Sequence, residues 1–508
     1  MNATRSARIE RRTPGMRRFA LIVTLVGLGI GVGGCGGGGG SYGGPLVVGT
    51  TLTSPSKPSK GFGTVVVTVK DLFGMPAVGA HVTIDSEYGS VYGISDDTGT
   101  VTFTRVPAAM VGASASQESA SGTQIGVSTE QMALPPNGRA ELAVALSVSP
   151  SVMGVGPSVV TSVAADGRWL EFSLRLIYDF GTYKLARAGD GGDHPDASYY
   201  MGLEPCNPGP GNGVPHQVDC IQDAAGVFDA PYVGGDRVEA LPVTVIPESI
   251  PPSVSAALLL DQSSRMSTND PEDARLEATK IFFVSKLATD RVALAAFASN
   301  DASLGALSPL PNQPVTLFPV ENPQFGASSN TLFPTIDSLG LLEGGASPLY
   351  AAIDAALDFT ATHASANGLR AVVVLTAGLD DTCGSATACR AVLQALIAKS
   401  RTTGIAIISI GLADGSGEPN PRALSELANV SGGAAFWARE PSELGRLFAG
   451  LSKVLAGSAE TLEAHFRIES PSAGAFQSGR TVFGQVHLTD CTEGCWDAAA
   501  MPFAVQIP

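Results

Sequence analysis

Between residues 252 and 457, apolar runs of strand length alternate with stretches of helix length. Val254–Leu260, Arg291–Phe297, Ala371–Thr376 and Gly404–Ile410 are nearly continuous apolar runs, the pattern of strands covered on both faces. A shorter strand is expected at Ala434–Trp437. The first helix is expected to start at Asp270-Pro271, with Asp as N-cap and Pro in the first turn, and to run to about Leu287. Gly344–Tyr350 opens the next, to about Thr362, after a loop-rich span reaching about Gly340. Further helices are expected at Ala386–Lys399, Pro421–Asn429 and Pro441–Leu455. Such alternation predicts an α/β doubly wound parallel sheet with right-handed crossovers.

On both sides the period changes to that of strands. Thr64–Val69, the Val/Thr strand ending at Ile84, Thr100–Thr104 and the run up to Val148 place β structure in 62–149. In 150–250, Leu170, Phe172, Leu174 and Leu176 alternate with Glu171, Ser173 and Arg175, one half-buried strand. In 461–508, strands are expected at His465–Ile468 and Thr481–Leu488, with an apolar end at Pro502–Ile507. So short a segment gains a core most easily by rejoining an earlier β segment. Residues 62–149 resemble a bacterial immunoglobulin-like or carboxypeptidase-regulatory-like β-sandwich. The resemblance rests on G-x-P-x-x-G-A-x-V-x-I at Gly74–Ile84 and D-x-x-G-x-V-x-F at Asp96–Phe103. It implies a spacer or stalk, and a multidomain chain with β-sandwich modules ahead of the α/β unit.

The first residues are organised differently. Arg5, Arg8, Arg11, Arg12, Arg17 and Arg18 precede an apolar run, Phe19–Val32, that suits a signal peptide better than a membrane span. Met16 offers an alternative start. The run ends in Val32-Gly33-Gly34-Cys35, which resembles the bacterial lipobox. That implies cleavage after 1–35 and lipidation of Cys35. The flexible 36–61 linker follows, with polyglycine at Gly36–Gly40. Gly36 after the cysteine resembles lipoproteins sent on to the outer membrane, so the expected place is the cell envelope, with either face open.

Charge narrows the partners. The formal net charge is -16; six arginines and one glutamate before Ala20 contribute +5, so the remainder carries -16 - 5 = -21. A chain this acidic is not expected to bind nucleic acid. Beyond Cys35, six cysteines lie in three close pairs, Cys206–Cys220, Cys383–Cys389 and Cys491–Cys495. Six cysteines allow about 15 connectivities; local pairing is the simplest and suits an oxidising compartment. The loop Gly189–Asp196 collects acidic residues and His194, which suits either Ca²⁺ or a plain exposed loop.

Chemistry concentrates where the first apolar strand ends, in Ala256–Met266, AALLLDQSSRM. This strand into D-x-S, the G-G-x-S-P-L-Y helix start, the V-V-L-T-x-G strand end and the late I-x-S-I-G and G-G-A-A-F elements together resemble the von Willebrand factor type A (vWA) domain. The family's metal-ion-dependent adhesion site holds Mg²⁺ or a similar ion on a D-x-S-x-S loop, a Thr before the central helix and a later Asp. An open coordination position then accepts a partner carboxylate. Asp261 and Ser263 match the first two places, and Ser347 keeps a hydroxyl at the Thr place. Arg265 stands at the third loop place and Ala377 at the late Asp place. Arg265 is expected either to repel a divalent ion or to pair with Asp261, while Asp380 or Asp381 could restore the lost carboxylate.

The resemblance implies a lipid-anchored protein that binds a protein partner through a partly degenerate site. Two alternatives stay open: an envelope assembly component with an inert head, and an envelope hydrolase. No G-x-S-x-G, H-E-x-x-H, P-loop or dinucleotide fingerprint supports catalysis, and no catalytic residue is assigned.

Overall fold

The computed structural model describes residues 61–148, 152–179, 253–299, 329–378, 380–412, 421–469, 476–490 and 496–508. Shorter pieces lie at 7–8, 198–203, 222–223, 239–240, 244–246, 315–318, 324–326 and 473–474. Cys35, Cys206, Cys220, Cys491, Cys495 and the Gly189–Asp196 loop lie outside the described residues.

The alternating segment folds into strands and helices in chain order: β1 (Val254–Asp261), α1 (Ala274–Ser285), β2 (Arg291–Phe297), α2 (Ser329–Leu339), α3 (Leu349–His363), β3 (Leu369–Thr376), α4 (Ala386–Thr403), β4 (Ala406–Leu412), β5 (Ala435–Ala438) and α5 (Leu444–Leu455). The strands lie side by side as β2-β1-β3-β4-β5, all neighbours parallel. Every residue of β1 is buried, which its unbroken apolar run requires. Alternate side chains face opposite layers. Leu258 and Leu260 pack with Phe282 of α1 and Phe448 of α5. Ala257 and Leu259 pack with Ile353 of α3 and Leu396 of α4. Helices therefore cover both faces.

The strand order reverses beside β1. From β1 the chain crosses to β2 on one side, and later returns to β3 on the other. The carboxyl ends of β1 and β3 thus flank the crevice where open α/β sheets place their sites.

Three local differences from the sequence expectation have clear causes. α1 starts at Ala274 rather than Asp270. Asp270 still serves its amino end from one turn upstream, Oδ1 accepting from the Ala274 amide at 2.8 Å and Oδ2 from the Arg275 amide at 3.0 Å. α2 lies within the span expected to be loop-rich; Leu332, Ile336 and Leu339 bury one face although Pro334 sits inside the helix. The helix expected from Pro421 to Asn429 ends at Ser425 and continues as a π-turn over Glu426–Val430.

The β segments drawn at 150–250 and 461–508 share the head's sheet. Val152–Val163 pairs antiparallel with β5, Trp169–Asp179 pairs with Val152–Val163, and Glu460–Glu469 pairs along Trp169–Asp179. The tail therefore rejoins an earlier β segment. Leu170, Phe172 and Leu174 are buried with Met501, Phe503 and Val505. Phe172 and Phe503 lie 5.5 Å apart between ring centroids. The side chain of Asn429, in the π-turn, holds this junction. Its amide nitrogen donates to the carbonyls of Val155 at 2.7 Å and Gly156 at 2.9 Å, and its oxygen accepts from the Ala504 amide at 3.0 Å.

Residues 61–148 form two further sheets around one core. Phe62–Lys70 lies between Thr100–Pro107 and Arg139–Ala145 in the first. The second has the order Gly89–Ile94, His81–Ser86, Met110–Ser119, Gly122–Val127. Val65, Val67, Phe103 and Leu142 of the first meet Val82, Ile84 and Val111 of the second. The tip of the Met110–Ser119/Gly122–Val127 hairpin rests on the head. The Ser121 carbonyl accepts from the Gly445 amide at 3.0 Å, and Glu277 of α1 accepts from Gln124 Nε2 at 3.2 Å. Gly122 is required there: its φ is 122°, and a Cβ would stand 2.5 Å from the Ser442 carbonyl oxygen.

Among the described residues, no helix is long and apolar enough to cross a membrane. Asn429→Ala removes three buried hydrogen bonds that tie the tail and the Val152–Val163 strand to the head. It is expected to cost at least about 2 kcal/mol, read as a lower midpoint in denaturant unfolding.

Candidate functional site at the carboxyl end of the central strand

β1 delivers Asp261 to the crevice with no solvent exposure. A buried carboxylate must be satisfied by its surroundings, because desolvation of its charge is otherwise prohibitive. Here the chain supplies the donors. Oδ1 accepts from the Ser263 amide at 2.9 Å; Oδ2 accepts from Ser347 Oγ at 2.9 Å and Thr376 Oγ1 at 2.8 Å. Thr376 in turn accepts from the Gly378 amide at 3.0 Å. Burial still dominates, so the Asp261 pKa lies above the ordinary carboxylate range despite hydrogen bonds that lower it. Folding therefore shifts Asp261 toward its protonated form relative to the unfolded chain, while the three donors oppose that shift by serving the charged form. The resulting loss of stability is absent at pH well below the unfolded value, grows as pH rises past it, and is complete above the folded value.

Ser347 sits at the entrance to α3 and faces two acidic groups. Its hydroxyl goes to Asp261, while its amide donates to Asp381 Oδ2 at 3.2 Å and its carbonyl accepts from the Asp381 amide at 3.0 Å. The other Asp381 oxygen takes Arg265 Nη2 at 2.5 Å. Arg265 thus pairs with Asp381, not with Asp261 as one sequence expectation had it. Asp380 is engaged elsewhere: Oδ2 accepts from the Tyr350 amide in the first turn of α3 at 2.7 Å, and Oδ1 from the Thr382 amide and hydroxyl at 2.7 and 2.8 Å. Burial, then Asp380 and Glu426, push the Tyr350 phenol up to about 12.

These residues do not fit a divalent ion. Ala377 is 3% exposed and brings no oxygen ligand from its side chain. Among the described residues, Asp261 is the single carboxylate bonded to a serine hydroxyl of the crevice, and Asp380 and Asp381 are both committed to other donors. The permanent positive charge of Arg265 beside the crevice further opposes a divalent cation. One trace of a ligand place survives: Ser263 Oγ is buried beside Asp261 and favours its charged form, yet no aligned hydrogen bond reaches it. Among the described residues, no group of three or more His, Cys, Asp or Glu side chains is placed to hold a metal. Cys383 and Cys389 form a disulfide, as local pairing implies, between the Asp381 loop and the start of α4.

No family model and no curated protein matches the chain. The similar solved structures include vWA proteins. One is the von Willebrand factor type A protein from Catenulispora acidiphila, at 14% identity over 63% of this chain and 75% of that one, with a TM-score of 0.34. Another is the ArnB paralog VWA2 from Sulfolobus acidocaldarius, at 10% identity over 70% and 76%, with a TM-score of 0.27. The pilus adhesin SpaC from Lactobacillus rhamnosus GG, in its open conformation, matches at 11% identity over 77% and 54%, with a TM-score of 0.31. Such TM-scores are too low to carry a conclusion; the strand order and the residues at the crevice have to do so.

Two groups of residues matter here beyond those the motifs single out. Thr376 is one: it lies inside the V-V-L-T-x-G strand end but has no place in the implied ligand set. The other surrounds Gln262, between Asp261 and Ser263. Its side-chain oxygen accepts from Arg275 Nη2 at 3.0 Å. Arg275 is fully buried; its Nη1 meets Asp270 at 2.8 Å and Asp273 at 3.0 Å, and its Nη2 also meets Glu343. One guanidinium therefore joins the β1 loop, the start of α1 and the loop ahead of Ser347. Burial raises the Glu343 pKa, with Arg275 opposing that shift.

Thr376→Val keeps the shape but leaves Asp261 and the Gly378 amide short of a partner, for an expected loss of about 1–3 kcal/mol. Arg275→Met uncovers paired carboxylates and is expected to cost more, about 3–5 kcal/mol. Urea unfolding of both variants checks the order.

Proposed function

We propose that the chain is a lipid-anchored protein of the bacterial cell envelope, held at the outer membrane, that binds a protein partner through the carboxyl-end crevice of a vWA-type head. The head would be carried outward by an immunoglobulin-like or carboxypeptidase-regulatory-like stalk and tethered through Cys35. The observation that carries this reading is the placement of Asp261, Ser263, Arg265, Ser347 and Asp381 together at the switch point of a β2-β1-β3-β4-β5 sheet. Arg265 and Asp381 remain about one-third and one-quarter exposed there, open to contact by a partner.

Binding without turnover suits these groups better than catalysis. The Ser347 hydroxyl is spent on a buried carboxylate, and among the described residues no hydrogen bond joins Ser263 or Ser347 to a histidine. His363 stacks on Phe359 at 4.5 Å, with its Nδ1 beside the Phe359 carbonyl.

Two measurements test this reading. Metabolic labelling with radioactive palmitate is expected to mark the full chain and to be lost in Cys35→Ala. The detergent-extracted full chain is expected to recover a specific protein from envelope extracts, with recovery reduced at least tenfold by Arg265→Glu. Unlabelled wild-type chain would contradict the anchor. Equal recovery by wild type and variant, or none by either, would contradict the binding face and favour an inert head.

A further inference from the structure

We propose that the Arg265–Asp381 ion pair does the work a divalent ion would otherwise do at this crevice, tying its three loops together so that the face is preformed without metal. The loops are those after β1, before α3 and after β3. A metal would join them by taking oxygen ligands from each. Here the joints are made by the protein. Asp261 at the end of β1 accepts from Ser347 before α3 and from Thr376 at the end of β3. Arg265, four residues beyond Asp261, reaches Asp381 beyond β3. Asp381 closes the triangle through its other oxygen and its own amide, both bonded to Ser347. Ser264 adds a second joint between the first two loops, its amide and hydroxyl both donating to the Gly345 carbonyl at 3.0 Å.

The two positions that depart from a metal-binding pattern fit this role together. Arg265 brings a permanent positive charge to the crevice, and a guanidinium stays protonated at any physiological pH. Ala377, buried where a carboxylate would otherwise stand, adds no second negative charge beside Asp261 for a cation to neutralise. Either change alone would leave a half-made site: an arginine facing an extra buried carboxylate, or a metal pocket short of charge. Guanidinium donors in a fixed fork also suit a carboxylate better than a lysine would.

This inference concerns the same face as the binding reading but needs no partner, so its failure and the failure of that reading are told apart. The test uses the full chain and its Arg265→Gln, Asp381→Asn and Arg265→Ser/Ala377→Asp variants, with MgCl₂, MnCl₂ or EDTA as the only additions. Hydrogen exchange of wild type in the 344–348 and 380–382 backbone is expected to be the same in MnCl₂ and EDTA. Arg265→Gln and Asp381→Asn are expected to speed that exchange at least tenfold while leaving β4 and α4 unchanged, which separates a lost tie from a lost fold. The double variant restores a hydroxyl and a carboxylate. It is expected to exchange fast in EDTA and to be slowed, with a saturable rise in melting temperature, by MnCl₂ or MgCl₂. Saturable protection of wild type by either salt would overturn the proposal, as would unchanged loop exchange in Arg265→Gln. A folded double variant that ignores both ions would overturn it too, because Arg265 and Ala377 would then not stand in a metal's place.

Discussion

A carboxylate without water at the end of the central strand sets the terms for this head. Asp261 sits where an unbroken apolar strand must stop, and its charge has to be met by groups the fold brings to it. Those groups come from its own loop, from the entrance to α3 and from the last residue of β3. Each donor is a short side chain or a backbone amide, with little freedom between it and the chain that positions it. With β1 beside β3, Thr376 at the end of β3 and Ser347 ahead of α3 both reach one oxygen of Asp261.

Around that acid lie two arginines with different duties. Arg275 is buried and holds Asp270, Asp273, Glu343 and the side chain of Gln262, the residue that follows Asp261. Arg265 is partly exposed and closes the crevice from above through Asp381. A partly exposed pair adds little to global stability, whereas removing one member of a buried cluster strands the others. Arg275 therefore belongs to the integrity of the fold and Arg265 to the state of the face. Helix α1, which carries Arg275, also carries Glu277 to the β-hairpin tip at Gln124, so the sheets of residues 61–148 and the crevice meet on one helix.

The parallel strands were legible because burial on both faces leaves a continuous apolar run, which is hard to mistake. The site loop was legible as well, since Asp261, Ser263 and Ser347 stand at the ends of such elements. α2 was obscured by Pro334 and its Ser/Asn-rich start, although Leu332, Ile336 and Leu339 kept a helical spacing. The sharing of one sheet by Val152–Val163, Trp169–Asp179 and Glu460–Glu469 was beyond local pattern. Antiparallel pairing across nearly 300 residues brings together partners such as Phe172 with Phe466 and Glu171 with Arg467, which no periodicity announces. For the same reason the partner of Arg265 was open in sequence. Asp261 is nearer along the chain, but it is already saturated by uncharged donors, and the guanidinium goes to Asp381 instead.

The central claim is that this crevice is completed by the chain's own groups. Isothermal calorimetric titration of the wild-type chain with Mg²⁺, Mn²⁺ and Ca²⁺ tests it most directly. No saturable heat beyond ion dilution is expected for the wild-type chain, and the same trace is expected for Asp261→Ala. Stoichiometric binding of one ion that disappears in Asp261→Ala would contradict it.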